Sequence, residues 1–244
     1  MDPRQILSDK WLEAKFKNRT ILVNDSYTNL KETVAKNNFG PINGILLDLG
    51  MSSWQLEVSK KGFSFKSDQI LDMRYNDQTN DLTAEKIINE WPKDKIKEIL
   101  KEYSQEKFAD RIAKNIAEER KKGRIKSTFQ LIEAIKKTMP LKLRQRKIHF
   151  ATKTFQALRI AVNDELNNLT KVLPDVVSVL SSGGRMVIIS FHSLEDRIVK
   201  NFFKNKEKGG SIKILTKKPL TAQIAELRQN PRSRSAKLRA FVKL

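Results

Sequence analysis

The sequence predicts an α/β fold with a parallel sheet and a helical insertion, on three observations. An apolar run, Ile45 to Leu47, stops at Asp48 and gives way to Gly50, Ser52 and Ser53. A second run, Met186 to Phe191, ends at His192 and Ser193. Between them, residues 82–139 carry helical spacing without any strand signal. Short apolar runs closed by polar and small residues are the pattern of fully buried parallel strands. In open α/β sheets the ligand crevice lies beyond the carboxyl ends of such strands.

Taken in order, residues 4–17 read as a helix (Ile6, Leu7, Trp11, Leu12, Phe16) and Thr20 to Val23 as a short strand. Leu30 to Ala35 begins a helix that Phe39-Gly40-Pro41 breaks before the central strand at 43–48. Strand, helix and strand in succession mark an α/β sheet. Gly62-Phe-Ser-Phe65 and Leu71-Asp-Met-Arg74 form an irregular link without a period. Helices are expected at 83–90, 92–103 and 104–121, the last closed by Gly123, followed by one capped at Ser127 and ended at Met139-Pro140. The next helix is expected to run unbroken, with Phe155, Leu158, Val162, Leu166 and Leu169 as a core stripe. Arg159, Asn163 and Asp164 are its polar candidates for the crevice. Pro174 is placed in the first turn of a short helix. A turn at Ser181–Gly184 leads to the strand at 186–191, then a helix at 194–204 with Ser193 as its cap. A strand near Ile212–Leu215, weak helix at 219–229 and an edge strand at 238–244 complete the chain. Domain limits follow: 1–60 and 151–244 for the sheet domain, 61–150 for the helical insertion.

Composition narrows the class. Lys and Arg outnumber Asp and Glu by 48 to 28, a formal charge of +20. That excess, spread along the chain, favours a polyanionic partner through phosphate neutralisation. Cysteine is absent, which excludes disulfides and thiolate metal sites. No run of eighteen apolar residues occurs, so no transmembrane helix is expected. The two histidines, His149 and His192, lack spaced carboxylate ligands, and no metal is expected. A triad drawn from Ser193, His192 and Asp196 fails because neighbours on one turn cannot adopt the required geometry.

The crevice chemistry centres on Asp48, Ser52 and Ser190 at the two strand ends. The same residues also read as helix caps. The run from Leu141 to His149, with Arg144, Arg146 and Lys147, and the turn Asn230–Ser235, with Arg232 and Arg234, offer phosphate contacts or else solvated loops.

The residues Asp48-Leu-Gly-Met-Ser-Ser53 with Gln55, Gly62-Phe-Ser-Phe65, Leu71-Asp-Met-Arg74, Ala151–Arg159, Ser190–Val199 and Asn230–Arg239 are specific. With them the chain resembles the ribosomal RNA small-subunit methyltransferase H family, also called MraW. The resemblance implies a class I, Rossmann-like, S-adenosylmethionine-dependent methyltransferase sheet with an α-helical insertion for RNA recognition. It implies methyl transfer to the exocyclic N4 amine of a cytosine in small-subunit ribosomal RNA, at the decoding centre. By motif position the cofactor contacts would be Tyr27 (usually Phe in the family), Asp48 and Gln55. From strand-end placement, a group among Asp48, Ser52 and Ser190 is expected to be catalytic, and the basic segments and crevice helix are expected to contact RNA through Arg144, Arg146, Lys147, Arg159, Arg232 and Arg234. A DNA-directed amino-methyltransferase fits less well, because Asp48-Leu-Gly-Met replaces the Asp/Asn-Pro-Pro-aromatic tetrapeptide.

The family's opening strand and glycine-rich loop have no counterpart near Met1. A truncated chain is therefore expected, with an exposed edge on the strand at 43–48 and weak cofactor binding. The alternative function is an inactive RNA-binding remnant. A bacterial cytoplasmic setting is expected, or a mitochondrial one if a leader is missing; homodimerisation is left open.

Overall fold

The computed structural model describes residues 15–16, 19–145 and 148–244. Most of the helix expected at 4–17 lies outside the described residues. Among the described residues a 3-10 turn at Tyr27–Asn29 leads into α1 (Leu30–Lys36) and β1 (Ile42–Asp48), followed by the short α2 (Ser53–Glu57). A helical group comes next: α3 (Ala84–Glu90), α4 (Lys93–Ser104), α5 (Ala109–Lys122), α6 (Thr128–Thr138), α7 (Leu141–Arg144) and α8 (Thr152–Asn163). Then come α9 (Glu165–Val179), β2 (Leu180–Ser190), α10 (Ser193–Lys208), β3 (Ile212–Ile214), β4 (Leu220–Thr221), α11 (Ile224–Gln229) and β5 (Lys237–Lys243).

The sheet runs β1-β2-β5-β3, with β4 also on β5. The β1–β2 pair is parallel, with Ile45 opposite Met186, Leu47 opposite Ile188 and Asp48 opposite Ile189. The other pairs are antiparallel. Side chains alternate across a pleated sheet, so Ile45, Leu47, Met186 and Ile188 share one face. That face packs on Val172, Leu173 and Val176 of α9 and on Val199 and Phe203 of α10. Phe203 meets Phe241 of β5 edge-on, with ring centroids 4.9 Å apart. On the other face Leu46 is 62% exposed.

A second core joins the helical group. Ile87, Ile96, Leu100, Ile112, Ile116, Leu131 and Ile135 bury together with Phe155, Leu158 and Val162 of α8. The i, i+3 and i+4 spacing of these residues is the helical signature in the sequence. The same core takes in Phe63, Leu71 and Met73, so the irregular link 61–74 is packed and ordered.

Several expectations are corrected. Residues 20–23 form no strand, and Ile21, Leu22 and Val23 are exposed; among the described residues no neighbouring strand completes their hydrogen bonds. β1 is not buried on both faces: it pairs only with β2 among the described residues, and its outer edge is open, as expected for that edge. β5 lies inside the sheet, not at its edge. The helix expected at 104–121 starts at Ala109, because Gln105 adopts the left-handed conformation (φ 51°) that closes α4. The long helix after residue 151 breaks at Asp164 (φ 49°), where α8 ends and α9 begins. Pro174 sits inside α9 on its exposed side, where the carbonyl of exposed Thr170 can turn to solvent for the amide it lacks. The cap of α10 is His192, not Ser193.

Candidate active site

β1 and β2 deliver their polar ends side by side, and the backbone amide of Leu49 still bonds the carbonyl of Ile189 at 3.0 Å. Because Asp48 is in register with Ile189, its side chain leaves the sheet on the face opposite that of Ser190. The two strand tips are therefore neighbours with opposed side chains. Ser190 is buried, and its hydroxyl donates to the carbonyl of Lys237 at 3.3 Å. Ser52 caps α2 by accepting from the amide of Gln55, and the Gln55 side chain accepts from the Ser52 amide at 2.7 Å. Asp48 is exposed and makes no side-chain hydrogen bond among the described residues. Of the three candidate acceptors, it alone is both exposed and without a side-chain hydrogen bond among the described residues.

Beyond the tips lies a cavity of about 350 Å³ between the sheet and the helical group. Phe63, Phe65, Phe155, Arg159, His192 and Arg232 line it. Gly62, at φ +81°, turns the link so that Phe63 and Phe65 reach the wall. Phe155 and Arg159 stand one turn apart on α8. Phe65 packs edge-on against Phe155 (5.5 Å) and stacks on His149 (4.6 Å), which in turn stacks on Phe150 (4.3 Å). Arg232 donates to the Ser53 hydroxyl and to the Glu57 carboxylate, which ties the 231–235 turn to α2.

A smaller chamber of about 40 Å³ adjoins it, lined by Tyr27, Tyr75, Glu165 and Glu195; Gly50 lines both spaces. Charged side chains lie between the two. The buried Arg159 donates to both oxygens of Glu165, at 2.7 and 2.8 Å. Burial works against its charge, but the Glu165 carboxylate outweighs this and the guanidinium stays protonated. Tyr75 donates to Glu165 at 3.1 Å, and burial holds its phenol well above the usual range. Burial also raises the pKa of Glu195, although its Oε2 accepts from the amides of Phe191 and His192 at 2.8 and 3.2 Å. Burial, helped by the charge of Arg159, pushes His192 down to about 3.

Glu165, His192 and Glu195 stand close enough to hold a cation. Most of their ligand atoms are already committed. Arg159 occupies both oxygens of Glu165, and the His192 Nδ1 lone pair accepts from the Glu195 amide at 3.3 Å. The neutral ring then carries its hydrogen on Nε2, which cannot ligate a metal while protonated.

The remaining sequence candidates are placed as follows. Tyr27 lines the small chamber, and burial raises its phenol pKa. Arg144 donates to the Met139 carbonyl at 3.0 Å. Arg234 is exposed. Arg159 faces the cavity from inside, committed to Glu165, and not an outer phosphate surface. Asn163 bridges α8 to the link, donating to the Met73 carbonyl and accepting from the Tyr75 amide. Arg146 and Lys147 lie outside the described residues. The sequence reading missed Phe63, Phe65, Phe155, Glu165 and Glu195. Two aromatics in a link without periodicity were the available signal.

A sheet whose parallel strand tips open onto a crevice, roofed by a helical insertion, agrees with the class I methyltransferase architecture of the family that the chain matches. The family model described as MraW methylase family matches residues 1–244, and the chain belongs to that family. It is 42% identical over 259 residues to the ribosomal RNA small subunit methyltransferase H of Heliobacterium modesticaldum, covering all of this chain and 82% of the relative. The protein of the same name from Sulfurihydrogenibium azorense is 44% identical over 229 residues, 94% of this chain and 78% of that one. The Clostridioides difficile counterpart is 40% identical over 258 residues, 100% and 83% respectively.

The family implies a methyltransferase dependent on S-adenosylmethionine. The described residues fit one flank of that cofactor. Gly50 (φ +104°) passes so close to Phe191 that an added Cβ would lie 3.3 Å from the ring, and Asp48 offers a free carboxylate. Gln55 is already committed to the cap of α2.

Proposed function

We propose that this protein methylates the exocyclic N4 amine of a cytosine in small-subunit ribosomal RNA. The observation that carries the reading is the aromatic cavity beside the strand tips. Its volume of about 350 Å³ suits one extruded base and is too small for a duplex. Phe63, Phe65 and Phe155 offer apolar walls for a base, and Arg159 and His192 offer polar groups for its edge. The net charge of +20 supports a polyanionic substrate.

Bound S-adenosylmethionine supplies an electrophilic methyl group on a sulfonium. Asp48, Gly50 and Tyr27 are the residues that would hold it. The cytosine amine is a poor nucleophile because its lone pair is delocalised into the ring. The Asp48 carboxylate accepts the amine hydrogens, orients the lone pair and receives the proton that the amine sheds. The walls of the cavity fix the base and exclude water.

A second reading, RNA binding without catalysis, draws on the open outer edge of β1 and the commitment of Gln55 to its cap. Incubating the chain with small ribosomal subunits and isotopically labelled S-adenosylmethionine, then analysing nucleosides by mass spectrometry, separates the two. Label in 4-methylcytidine, lost in Asp48→Ala, supports methylation. Subunit binding without label supports the second reading.

A further inference from the structure

Arg159 has more hydrogen-bond donors than its ion pair uses. Nε donates to Glu165 Oε1 at 2.7 Å and Nη2 to Oε2 at 2.8 Å, so the side fork of the guanidinium is filled. A guanidinium carries five N–H groups in one plane and no acceptor. Three are left, both on Nη1 and the second on Nη2, and one from each nitrogen points off the end of the plane as a second fork. Nη1 has no partner among the described residues. It is not sealed in either: among those residues the partnerless side-chain atoms without accessible surface belong to Thr20, Thr154 and His192. Arg159 keeps 12% of its side chain exposed, and it lines the aromatic cavity and not the small chamber. Nη1 therefore meets whatever fills that cavity.

We propose that the end fork of Arg159 reads the N3 and O2 edge of cytosine and so selects it over uracil. This rests on the base-pocket reading above. Phe155, one turn before Arg159 on α8, walls the face of the base while Arg159 meets its edge. N3 and O2 are adjacent acceptors in one plane, the arrangement that a guanidinium fork matches. Uracil keeps O2 but carries N3–H, which would set a donor against a cationic donor with neither satisfied. The guanidinium cannot answer by accepting, because it has no acceptor. Nor can it swing aside, because Glu165 holds its other fork through two bonds. Glu165 is thus a positioning residue that fixes the plane in which the base must lie. The amine next to N3 stays clear of Arg159 and free for methyl transfer.

The test is equilibrium titration of the full chain with cytidine, uridine and 3-deazacytidine, in which a C–H group replaces N3. Wild-type protein should prefer cytidine over each of the other two by about tenfold or more. Arg159→Lys keeps a cation for Glu165 but offers no fork, so the preference should fall to about twofold or less. Arg159→Met with Glu165→Leu should do the same, and it strands no charge if the lysine variant fails to fold. A merely structural role for Arg159 would weaken the three nucleosides equally and leave their ratios unchanged. Phe65→Ala should weaken all three together. Equal binding of cytidine and 3-deazacytidine by the wild type, or a full cytidine preference in either Arg159 variant, overturns the assignment to Arg159 and leaves the base pocket standing. Failure of wild-type protein to bind any of the three, or indifference to Phe65→Ala, overturns the pocket and the edge reading together.

Discussion

Arg159 on α8 and Glu165 at the start of α9 grip each other through two parallel hydrogen bonds, across the left-handed residue Asp164 that separates their helices. The pair ties the end of α8 to the start of α9; Arg159 forms part of the aromatic cavity wall and Glu165 part of the small chamber. The two side chains are 12% and 9% exposed, so neither charge has water to fall back on.

Removing one partner should therefore be much worse than removing both. Glu165→Ala leaves a buried guanidinium uncompensated and should cost about 3–5 kcal/mol. The double replacement Arg159→Met with Glu165→Leu should cost clearly less, since no charge is stranded. Urea unfolding of the wild type and the two variants measures the difference.

Acid should weaken the fold in two separable windows. Unfolded His192 titrates near ~6.5, while the native ring refuses a proton down to about 3. Across that interval the unfolded chain binds the extra proton, so stability falls as pH drops from roughly 6.5 towards 3. Asp196 acts lower. Burial raises its pKa, but the hydrogen bond from Arg239 at 2.6 Å and that guanidinium's charge depress it further than burial lifts it. Its contribution is present above the unfolded value of ~3.9 and disappears as pH falls through the depressed one. His192→Asn should flatten the first window and leave the second, read from unfolding midpoints at a series of pH values.

Two glycines with positive φ should respond differently to alanine. At Gly62 (φ +81°) a Cβ would run into the Ile70 carbonyl oxygen; at Gly210 (φ +69°) it would meet nothing within 4 Å. Gly210→Ala should cost about 1–2 kcal/mol from backbone conformation alone. Gly62→Ala should cost more, and it should also displace Phe63 and Phe65 and so weaken cytidine binding. Calorimetric unfolding and nucleoside titration together check both effects.

Exposed Arg234 should act as a phosphate contact independent of sequence. Arg234→Ala should weaken binding to small-subunit RNA uniformly, and it should reduce the slope of log K against log salt by about 1. A titration series in potassium chloride gives that slope.

The helical group was legible in the sequence because its apolar residues repeat at three and four positions, as Ile112 and Ile116 do. The two strand ends were legible because Asp48 and Ser190 each close an apolar run. The wrong assignments share one cause: local pattern does not report the neighbour. Ile21–Val23 has strand composition but no strand beside it among the described residues, and β1 reads as buried on both faces though Leu46 is exposed. Asp164 breaks a helix through backbone conformation, with an apolar stripe running through it that gave no warning. The site depended on distant pairs, Arg159 with Glu165 and Phe65 with Phe155, whose meeting no spacing encodes.

The open flank of β1 has a consequence for handling the protein. Ile42 to Asp48 contains no lysine and no proline, the residues that usually discourage one such flank from pairing with another. Mutual repulsion between bodies of charge +20 opposes such pairing. Added electrolyte shortens the reach of that repulsion to about 3 Å at 1 M. Preparations should therefore scatter more light as ionic strength rises, and should stay clear in dilute buffer.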